Sequence, residues 1–522
     1  MKKIILVLAV LLCLFICGPL YAQLNFENFQ KISSTHGNLG ITLGNNEAFG
    51  YRMANIGDLD GDGVPDIAVG APGNDGTGTA QGALYILFMK NDGTVKSTQI
   101  INSSSGNLGV TLVDNERFGH SVALIGDLDG DGVQDLAVGA IGHNNFVGGV
   151  YILFMQKDGT VKSHTLIDGN TSNFSYPTAY QFSHDVASPG DIDGDGIPDL
   201  AVGAISDNDG GAPYGAVYII FMKKDGSVKG FQQISETKGS LGINLTAGGY
   251  FGYSLAKIGD ADGNGTPDLV VGVPGFAVSG SQIGVVFILY LNSDGTVKSY
   301  KEINNSSKNF SNAIKVNEAF GTSVQMIDDA NRDGIKELLV GSEHYNYSTN
   351  DKGTVYVLYL DSSRGIKSYD RIGPSTISAL NSAVGSTNLY GISVIALPNF
   401  NSSYTHTIAV GAIADSDGNP KAGAIYVLFL KGHTTGINEN TQITSNTYHI
   451  YPNPVSGILN IDLSQNNDNK AIEIVDVTGQ IMAMEQTYGA KYAIDLSNYP
   501  KGIYFVRIMD LNMVYTEKVV KL

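Results

Sequence analysis

The sequence contains no tryptophan, only two cysteines and few charged residues. Both cysteines, Cys13 and Cys17, lie among the first 22 residues, so the rest of the chain has neither a disulfide nor a thiol nucleophile. The net charge of −18 argues against nucleic acid or an anionic membrane as a partner. Because 43% of the residues are hydrophobic and only 16% are charged, the chain is too apolar to be disordered. We expect a large folded protein whose stability depends on core burial or bound metal.

Residues 1–22 have the pattern of a secretory signal peptide. Lys2 and Lys3 precede an apolar run from Ile4 to Ile16, and small residues follow up to Ala22. The run is shorter than the roughly 20 apolar residues that a membrane-spanning helix needs, and no later segment is long enough either. The sequence therefore predicts export, cleavage after Ala22 and no transmembrane segment in the mature chain.

A repeat of about 69 residues fills most of the remaining chain. The first five copies each predict four short strands, and the sixth predicts three. The first strand opens at an aromatic residue, as in Phe49–Ile56, and the second is small and β-branched, as in Asp66–Ala71. The third is almost continuously apolar, as in Ala83–Phe88, which is typical of a strand buried on both faces. The opening aromatic residues are Phe49, Phe118, Phe182, Phe251, Phe320 and Tyr390.

The repeat predicts an all-β protein, a β-propeller of four-stranded blades, because units with two apolar faces must pack face to face. A solenoid is the alternative. Asp92 and Gly93 exemplify an Asp-Gly pair between the third and fourth strands, which predicts a tight hairpin with a positive φ at both residues. The sixth copy lacks a fourth strand, whereas Phe29–Ser33 resembles one. We expect this N-terminal strand to complete the last blade, which favours six blades.

Acidic loops join the first and second predicted strands of five copies. The first loop has Asp58, Asp60, Asp62 and Asp66 at positions 1, 3, 5 and 9, a glycine at position 6, and the Val64 carbonyl at position 7. Oxygen donors at these positions can surround Ca²⁺, whereas Mg²⁺ demands tighter octahedral geometry. The corresponding predicted ligands of the other loops are Asp127, Asp129, Asp131, Val133 and Asp135; Asp191, Asp193, Asp195, Ile197 and Asp199; Asp260, Asp262, Asn264, Thr266 and Asp268; and Asp329, Asn331, Asp333, Ile335 and Glu337.

The negative charge of the chain is concentrated in these loops, which hold 18 of the 50 acidic residues. A bound cation would relieve the mutual repulsion of these carboxylates. Solvated turns that bind nothing are the alternative, but recurrence at one register favours metal binding. The sixth copy offers only Asn399, Asn401 and Ser403, and we predict that it binds no metal. About five structural Ca²⁺ sites are expected.

The repeat resembles the FG-GAP repeat of integrin α-subunit propellers and of related bacterial secreted proteins. The resemblance rests on Phe49-Gly50, the acidic loop and Val69–Pro72, and it covers residues 49 to about 431. It implies Ca²⁺ in the loops, and a seventh blade as an alternative to six. It also implies a protein or glycan ligand on the face opposite the calcium loops. The loops expected on that face are Asn74–Gln81, Gly142–Val147, Ser206–Tyr214, Glu343–Lys352 and connections such as Asn102–Arg117, with Tyr214, Tyr345 and Tyr347 as candidate contacts.

The end of the chain has a different pattern. The predicted propeller spans residues 23–432, and the polar residues 433–446 are interpreted as a linker. Short alternating strands in residues 447–522 predict a small β-sandwich. Motifs such as Tyr451–Pro454 and Gly502–Val506 resemble the C-terminal sorting domain of the Bacteroidetes type IX secretion system. This resemblance implies the secretion machinery as a partner and a secreted or outer-membrane surface-attached product. A carbohydrate-binding or generic sandwich is the alternative.

The sequence contains neither a zinc-binding His-Glu-x-x-His helix nor a Gly-x-Ser-x-Gly elbow. The one-off histidines His143, His184 and His344 are weak catalytic candidates, and each is expected to be a solvated loop residue. The favoured hypothesis is a non-catalytic, calcium-stabilised binding or adhesion module, expected as a monomer. The alternative is a secreted hydrolase or lyase that uses a propeller face. Three or more non-repeating polar residues in one axial pocket would favour the enzyme.

Overall fold

The computed structural model describes residues 24–174, 181–278, 280–344, 352–385, 388–398, 400, 405–432, 449–462, 470–476, 481–487, 491–510 and 513–522. The predicted signal peptide and linker lie outside these residues, as do Tyr345, Tyr347, Asn399, Asn401 and Ser403. The chain divides into two compact units, Met1–His433 and Thr434–Leu522. Within the described ranges, no helix has the length and apolar character needed to cross a membrane.

Six four-stranded antiparallel sheets, here called blades 1 to 6, form the first unit. The first strands are Met53–Gly57, Phe118–Gly126, Phe182–Gly190, Ser254–Gly259, Phe320–Ile327 and Tyr390–Leu397. The second strands are Asp66–Ala71, Asp135–Ala140, Asp199–Ala204, Asp268–Val273, Glu337–Ser342 and His406–Ala412. The third strands are Ala83–Met89, Gly149–Met155, Ala216–Met222, Val285–Leu291, Thr354–Leu360 and Ala424–Gly432. The fourth strands are Val95–Ile101, Val161–Ile167, Val228–Ile234, Val297–Ile303, Ile366–Ile372 and, in blade 6, Leu24–Ile32.

Three short elements interrupt the loops between these strands. Ala277–Val278 and Ser281–Gln282 form a two-stranded ribbon in blade 4. Ser378–Ala383 is a short helix between blades 5 and 6. The single turn His143–Phe146 in blade 2 contains left-handed residues at Asn144 and Asn145.

Blade 6 unites the two ends of the propeller unit. Its fourth strand is N-terminal, and Phe29 pairs with Leu428 while Ile32 pairs with Ile425. The prediction that an N-terminal strand completes the last blade is therefore confirmed. The first strands of neighbouring blades contact one another around the whole unit, including those of blades 6 and 1. The described blades thus form a closed ring of six.

Apolar side chains fill the spaces between the blades. Every residue of Asp66–Ala71 and Ala83–Met89 is buried, as expected of strands that pack on both faces. Leu84 and Ile86 of blade 1 form one cluster with Val138 of blade 2, and similar clusters recur around the ring. The opening aromatic residue of each copy is fully buried there and donates its backbone amide to the preceding blade. The aromatic residue that defines the repeat is therefore an anchor between blades.

Two local expectations are wrong. The first strands of blades 1 and 4 begin at Met53 and Ser254, because pairing with the second strand of the same blade starts only at these residues. In the hairpin of blade 1, Gly93 has a positive φ but Asp92 does not. The Asp92 carboxylate instead accepts hydrogen bonds from the amide and hydroxyl of Thr94, and the strand register shifts beside the turn. A side-chain cap therefore replaces the second left-handed residue.

The described part of the second unit contains two sheets. One has the strands His449–Tyr451, Ile458–Asp462 and Lys491–Asp495. The other has, in spatial order, Ile481–Thr487, Lys470–Asp476, Gly502–Asp510 and Met513–Lys521. Ile450 and Leu459 of the first sheet share one buried apolar cluster with Ile474 and Val506 of the second. The unit is therefore the small β-sandwich that the sequence predicts.

Candidate functional site

The acidic loops lie at the end of the ring where the first strands finish, here called the acidic-loop end. In blade 1 the loop folds around the Asp58 carboxylate, whose Oδ1 accepts hydrogen bonds from the amides of Gly61 and Asp62 at 2.8 and 2.9 Å. Its Oδ2 accepts the amide of Gly63 at 2.8 Å. Gly61 and Gly63 both have a positive φ, which permits this tight turn. The loops around Asp127 and Asp191 repeat the arrangement.

The position-9 carboxylate attaches each loop to its blade. Asp66 begins the second strand and is buried, with Oδ2 accepting the amide of Leu59 and Oδ1 accepting the amide of Met89. Burial raises the pKa of Asp66 to about 6 despite these hydrogen bonds. The pKa values of Asp135, Asp199 and Asp268 are raised to about 6 for the same reason.

Three carboxylates converge in each of the five loops, with ligand atoms within 4.8 Å of one another. The converging sets are Asp58, Asp60 and Asp62; Asp127, Asp129 and Asp135; Asp191, Asp193 and Asp199; Asp260, Asp262 and Asp268; and Asp329, Asp333 and Glu337. Asn264 differs from the position-5 aspartates, because its Nδ2 donates a hydrogen bond to the Leu291 carbonyl. The remaining positions of each loop, including the position-7 carbonyls and Asn331, stay predicted ligands.

Two carboxylate oxygens in these clusters are buried without a hydrogen-bond partner, Asp193 Oδ1 and Glu337 Oε1. Glu337 is fully buried, and burial, together with the charges of Asp329 and Asp333, raises its pKa to about 8. A buried carboxylate oxygen that faces other carboxylates is costly unless a cation binds to it. The all-oxygen donor sets and these unpaired atoms therefore fit a hard divalent cation such as Ca²⁺.

A lysine from the fourth strand contacts the acidic loop in each of the first five blades. Lys96 Nζ lies 2.7 Å from Asp60 Oδ2 and 2.5 Å from Asp62 Oδ2. Lys162 and Lys229 make the same pair of contacts in blades 2 and 3. Our sequence reasoning did not assign these lysines a role, although four of them follow the hairpin glycine by three residues.

One-off polar residues meet on the axis near the opposite end of the ring. The third residue after the opening aromatic residue is serine in four blades, and each serine hydroxyl donates to a carbonyl of the next blade. Arg52 and Asp185 stand at this register in blades 1 and 3. The Arg52 guanidinium donates to the carbonyls of Ile392, Tyr253 and Thr322, and its Nε lies 3.4 Å from Asp185 Oδ1. Arg52 therefore links five of the six blades.

Four rings surround Arg52 on the axis. His120 Nδ1 lies 3.1 Å from the His184 carbonyl, and His184 Nδ1 lies 3.0 Å from the Tyr253 carbonyl. Burial lowers the pKa of both histidines, that of His184 to about 3, and raises the pKa of Tyr51 and Tyr253. The expectation of a solvated His184 is therefore wrong. More than three non-repeating polar residues converge here, which is the arrangement that would favour an enzyme. Their described contacts, however, are mainly hydrogen bonds to backbone carbonyls of other blades.

A cavity of about 290 Å³ lies on the axis beside Arg52 and Asp185. Its inner wall is apolar and includes Val122, Leu255 and Val394, which are nearly inaccessible. The lining becomes more exposed toward the ends of the first strands, where it includes the exposed Lys257. The cavity therefore opens at the acidic-loop end.

His143 lies between two carboxylates at the opposite end of blade 2. Its Nδ1 is 2.6 Å from Glu116 Oε1, and its Nε2 is 3.5 Å from Asp168 Oδ2. The bond to Glu116 raises the pKa of His143. Its side chain is only 20% exposed, so the expectation of a solvated histidine is wrong here too. His344 is partly exposed and lies 3.6 Å from Glu343.

Replacing His143 with glutamine should remove stability mainly at low pH. Because the folded pKa of His143 exceeds its unfolded value near 6.5, the protonated form stabilises the fold. This contribution is complete below pH 6.5 and is lost as the pH rises through the folded pKa. Urea unfolding should show His143→Gln less stable than the wild type by about 1 kcal/mol at pH 5.5, with a smaller difference at pH 9. His164→Gln, in the same blade, is the control, and equal differences at both pH values would contradict the prediction.

Family models match parts of both units. Residues 449–522 match the secretion system C-terminal sorting domain. Residues 49–87 match the FG-GAP repeat, and residues 127–202 and 191–271 match the FG-GAP-like repeat. The sorting domain indicates export by the type IX system, to the medium or to the outer-membrane surface, and so implies contact with that machinery.

Curated relatives of the chain include integrin α-subunits. The chain is 34% identical to integrin alpha-3 of Cricetulus griseus over 196 residues, which covers 37% of this chain and 16% of that protein. It is 30% identical to integrin alpha pat-2 of Caenorhabditis elegans over 280 residues, covering 49% of this chain and 20% of that protein. The chain thus spans at most a fifth of the length of these two relatives. A structure of PorZ, a surface component of the type IX system of Porphyromonas gingivalis, overlaps 90% of this chain and 59% of its own at a TM-score of 0.35 and 13% identity.

Proposed function

Because the chain carries FG-GAP repeats ahead of a type IX sorting domain, we propose that it is an exported binding module. Five acidic loops hold structural Ca²⁺ through the predicted ligands, and the opposite end of the ring binds a protein or glycan. A hydrolase or lyase remains the alternative function. The axial cluster gives it little support, because the terminal nitrogens of Arg52 and the Nδ1 atoms of His120 and His184 bond to backbone carbonyls.

The observation that carries the binding proposal is the position of exposed apolar side chains. Among described propeller residues, the large hydrophobic side chains with high exposure are Val113, Phe146, Tyr250, Tyr300 and Val316. All but Tyr300 lie in loops at the opposite end, either between blades or between second and third strands. Exposed apolar side chains that share one end of a protein make that end a candidate interaction surface.

Two further contacts concern this surface. The Arg117 guanidinium lies 5.3 Å from the centre of the Phe146 ring, and arginine beside an aromatic ring is common at binding hot spots. Tyr214, a candidate contact from the sequence, is half-buried and packs against the core between its own blade and the next. Most of the Tyr214 side chain therefore packs inside the propeller, and less of it is available to contact a ligand.

Replacing Val113, Phe146, Tyr250 and Val316 with serine should weaken ligand binding without unfolding the ring, since all four side chains are exposed. The full chain and this variant would be tested by biolayer interferometry against immobilised glycans and extracellular-matrix proteins. We expect at least one probe to bind the wild type and to bind the variant at least about tenfold more weakly.

Tyr300→Ser is the matched control, because Tyr300 is equally exposed but lies on the outer strand of blade 4. Binding that survives the fourfold change would place the ligand elsewhere on the chain. Turnover of a glycan or peptide probe by the wild type would instead favour the hydrolase or lyase.

A further inference from the structure

The number of carboxylates that each lysine contacts matches the number of aspartates at positions 3 and 5 of its loop. In blades 1 to 3, where positions 3 and 5 are both aspartates, the lysine contacts both carboxylates, as Lys96 does with Asp60 and Asp62. In blade 4 position 5 is Asn264, and Lys298 contacts only Asp262. In blade 5 position 3 is Asn331, and Lys367 contacts only Asp333. The lysine contacts thus follow the carboxylates.

Blade 6 provides an internal comparison, because its loop is the one predicted to bind no metal. Phe26 pairs with Leu430 and Asn28 with Phe429, as Val95 pairs with Met89 and Ser97 with Phe88 in blade 1. The residue at the lysine position of blade 6 is therefore Glu27. It lies 3.5 Å from Lys431. A position that needed a lysine for strand pairing alone would not carry the opposite charge here.

The lysine and the backbone of the loop contact different oxygens of the same carboxylates. Lys96 contacts the Oδ2 atoms of Asp60 and Asp62, whereas the Oδ1 atoms of both accept backbone amides of the loop. The lysine therefore holds the carboxylates of positions 3 and 5 together from outside. Its charge offsets part of their repulsion when no metal is present, and it repels a cation that binds to the same carboxylates.

We infer that Lys96, Lys162, Lys229, Lys298 and Lys367 are built-in counter-ions that keep the acidic loops folded without metal and lower their affinity for Ca²⁺. This inference rests on the proposed calcium sites. It makes the lysines positioning residues that set the calcium concentration at which the loops fill. A ring with these lysines would tolerate loss of calcium better than a ring whose acidic loops lacked them.

The test replaces Lys96, Lys162 and Lys229 with methionine in the full chain, which retains the aliphatic stem and removes the charge. The control replaces Lys90, Lys157 and Lys224, exposed lysines in the hairpins of the same three blades. Calorimetric titration with Ca²⁺ at low ionic strength should show the altered loops binding about tenfold more tightly than in the control. The gain should shrink at high salt, because salt screens exposed charges. With excess chelator, the loop variant should melt several degrees below the control.

Weaker calcium binding by the loop variant, or an unchanged melting temperature in chelator, would overturn the inference. If the wild type itself binds no calcium, the proposed metal sites fail, while the comparison in chelator still tests the counter-ion role. If the triple change prevents folding, Lys298→Met is the second variant, because Lys298 contacts a single carboxylate. It should show the same directions with smaller effects.

Discussion

Replacing Arg52 with serine should lower the free energy of unfolding of the propeller by about 3–5 kcal/mol, the usual cost of breaking a buried ion pair. Arg52 and Asp185 are both buried, and loss of the guanidinium leaves the Asp185 carboxylate without its cation. The carbonyls of Ile392, Tyr253 and Thr322 also lose a donor on the axis. Urea unfolding followed by circular dichroism would measure the change, since the chain has no tryptophan to report by fluorescence.

The double variant Arg52→Ser, Asp185→Ser should recover more than half of that loss. It places serine at the axial register of all six blades, and the four natural serines already donate to the neighbouring blade. Arg117→Ser removes an exposed arginine and should change the stability by no more than about 0.5 kcal/mol. A double variant no more stable than Arg52→Ser would show that the ion pair is not the reason for the loss.

Removing calcium should lower the melting temperature of the full chain strongly. Each loop that binds Ca²⁺ only in the folded state adds about 2.7 kcal/mol when free calcium is a hundredfold above its dissociation constant. Five such loops together make this the largest stability effect expected of the molecule. Thermal unfolding in calcium and in excess chelator, with metal analysis of the purified protein, would measure both the shift and the number of ions.

A single substitution would test whether one particular loop holds one of the calcium ions. Asp129→Asn in the loop of blade 2 should reduce the bound calcium by one ion per chain. Asp158→Asn alters the hairpin of the same blade, where the carboxylate only caps Thr160, and should leave the count unchanged. No bound metal and no shift in chelator would return the acidic loops to solvated or catalytic roles.

The blades and the acidic loops could be predicted because their signals are local and repeated. Asp66–Ala71 and its counterparts start at the expected residues in five blades, since buried strands at a constant period leave a regular apolar pattern. The carboxylates of Asp58, Asp60 and Asp62 converge for a similar reason, because a loop of nine residues determines their spacing. The closing strand was predictable from its likeness to the other fourth strands.

The axial cluster was not predicted, because its members are far apart in the chain and meet only when the ring closes. A signal was present, since Arg52 and Asp185 interrupt a column of serines. A second contact was not predicted because its partner residue occupies different positions in different copies of the repeat. The third-strand tyrosine bonds to Glu116 in blade 2 but to Asp207 in blade 3, so the carboxylate comes from a different loop. Alignment of the copies does not detect such an exchange.

The closing strand has a consequence for the order of assembly. Leu24–Ile32 is made early, but its partner Ala424–Gly432 is the last strand of the ring to leave the ribosome. Until then the ring has two unpaired strand edges, which are prone to pair with other chains. The sorting domain at residues 449–522 is translated after both closing strands. A chain cut short before its ring can close therefore also lacks the sorting domain, so type IX sorting selects chains that have both closing strands.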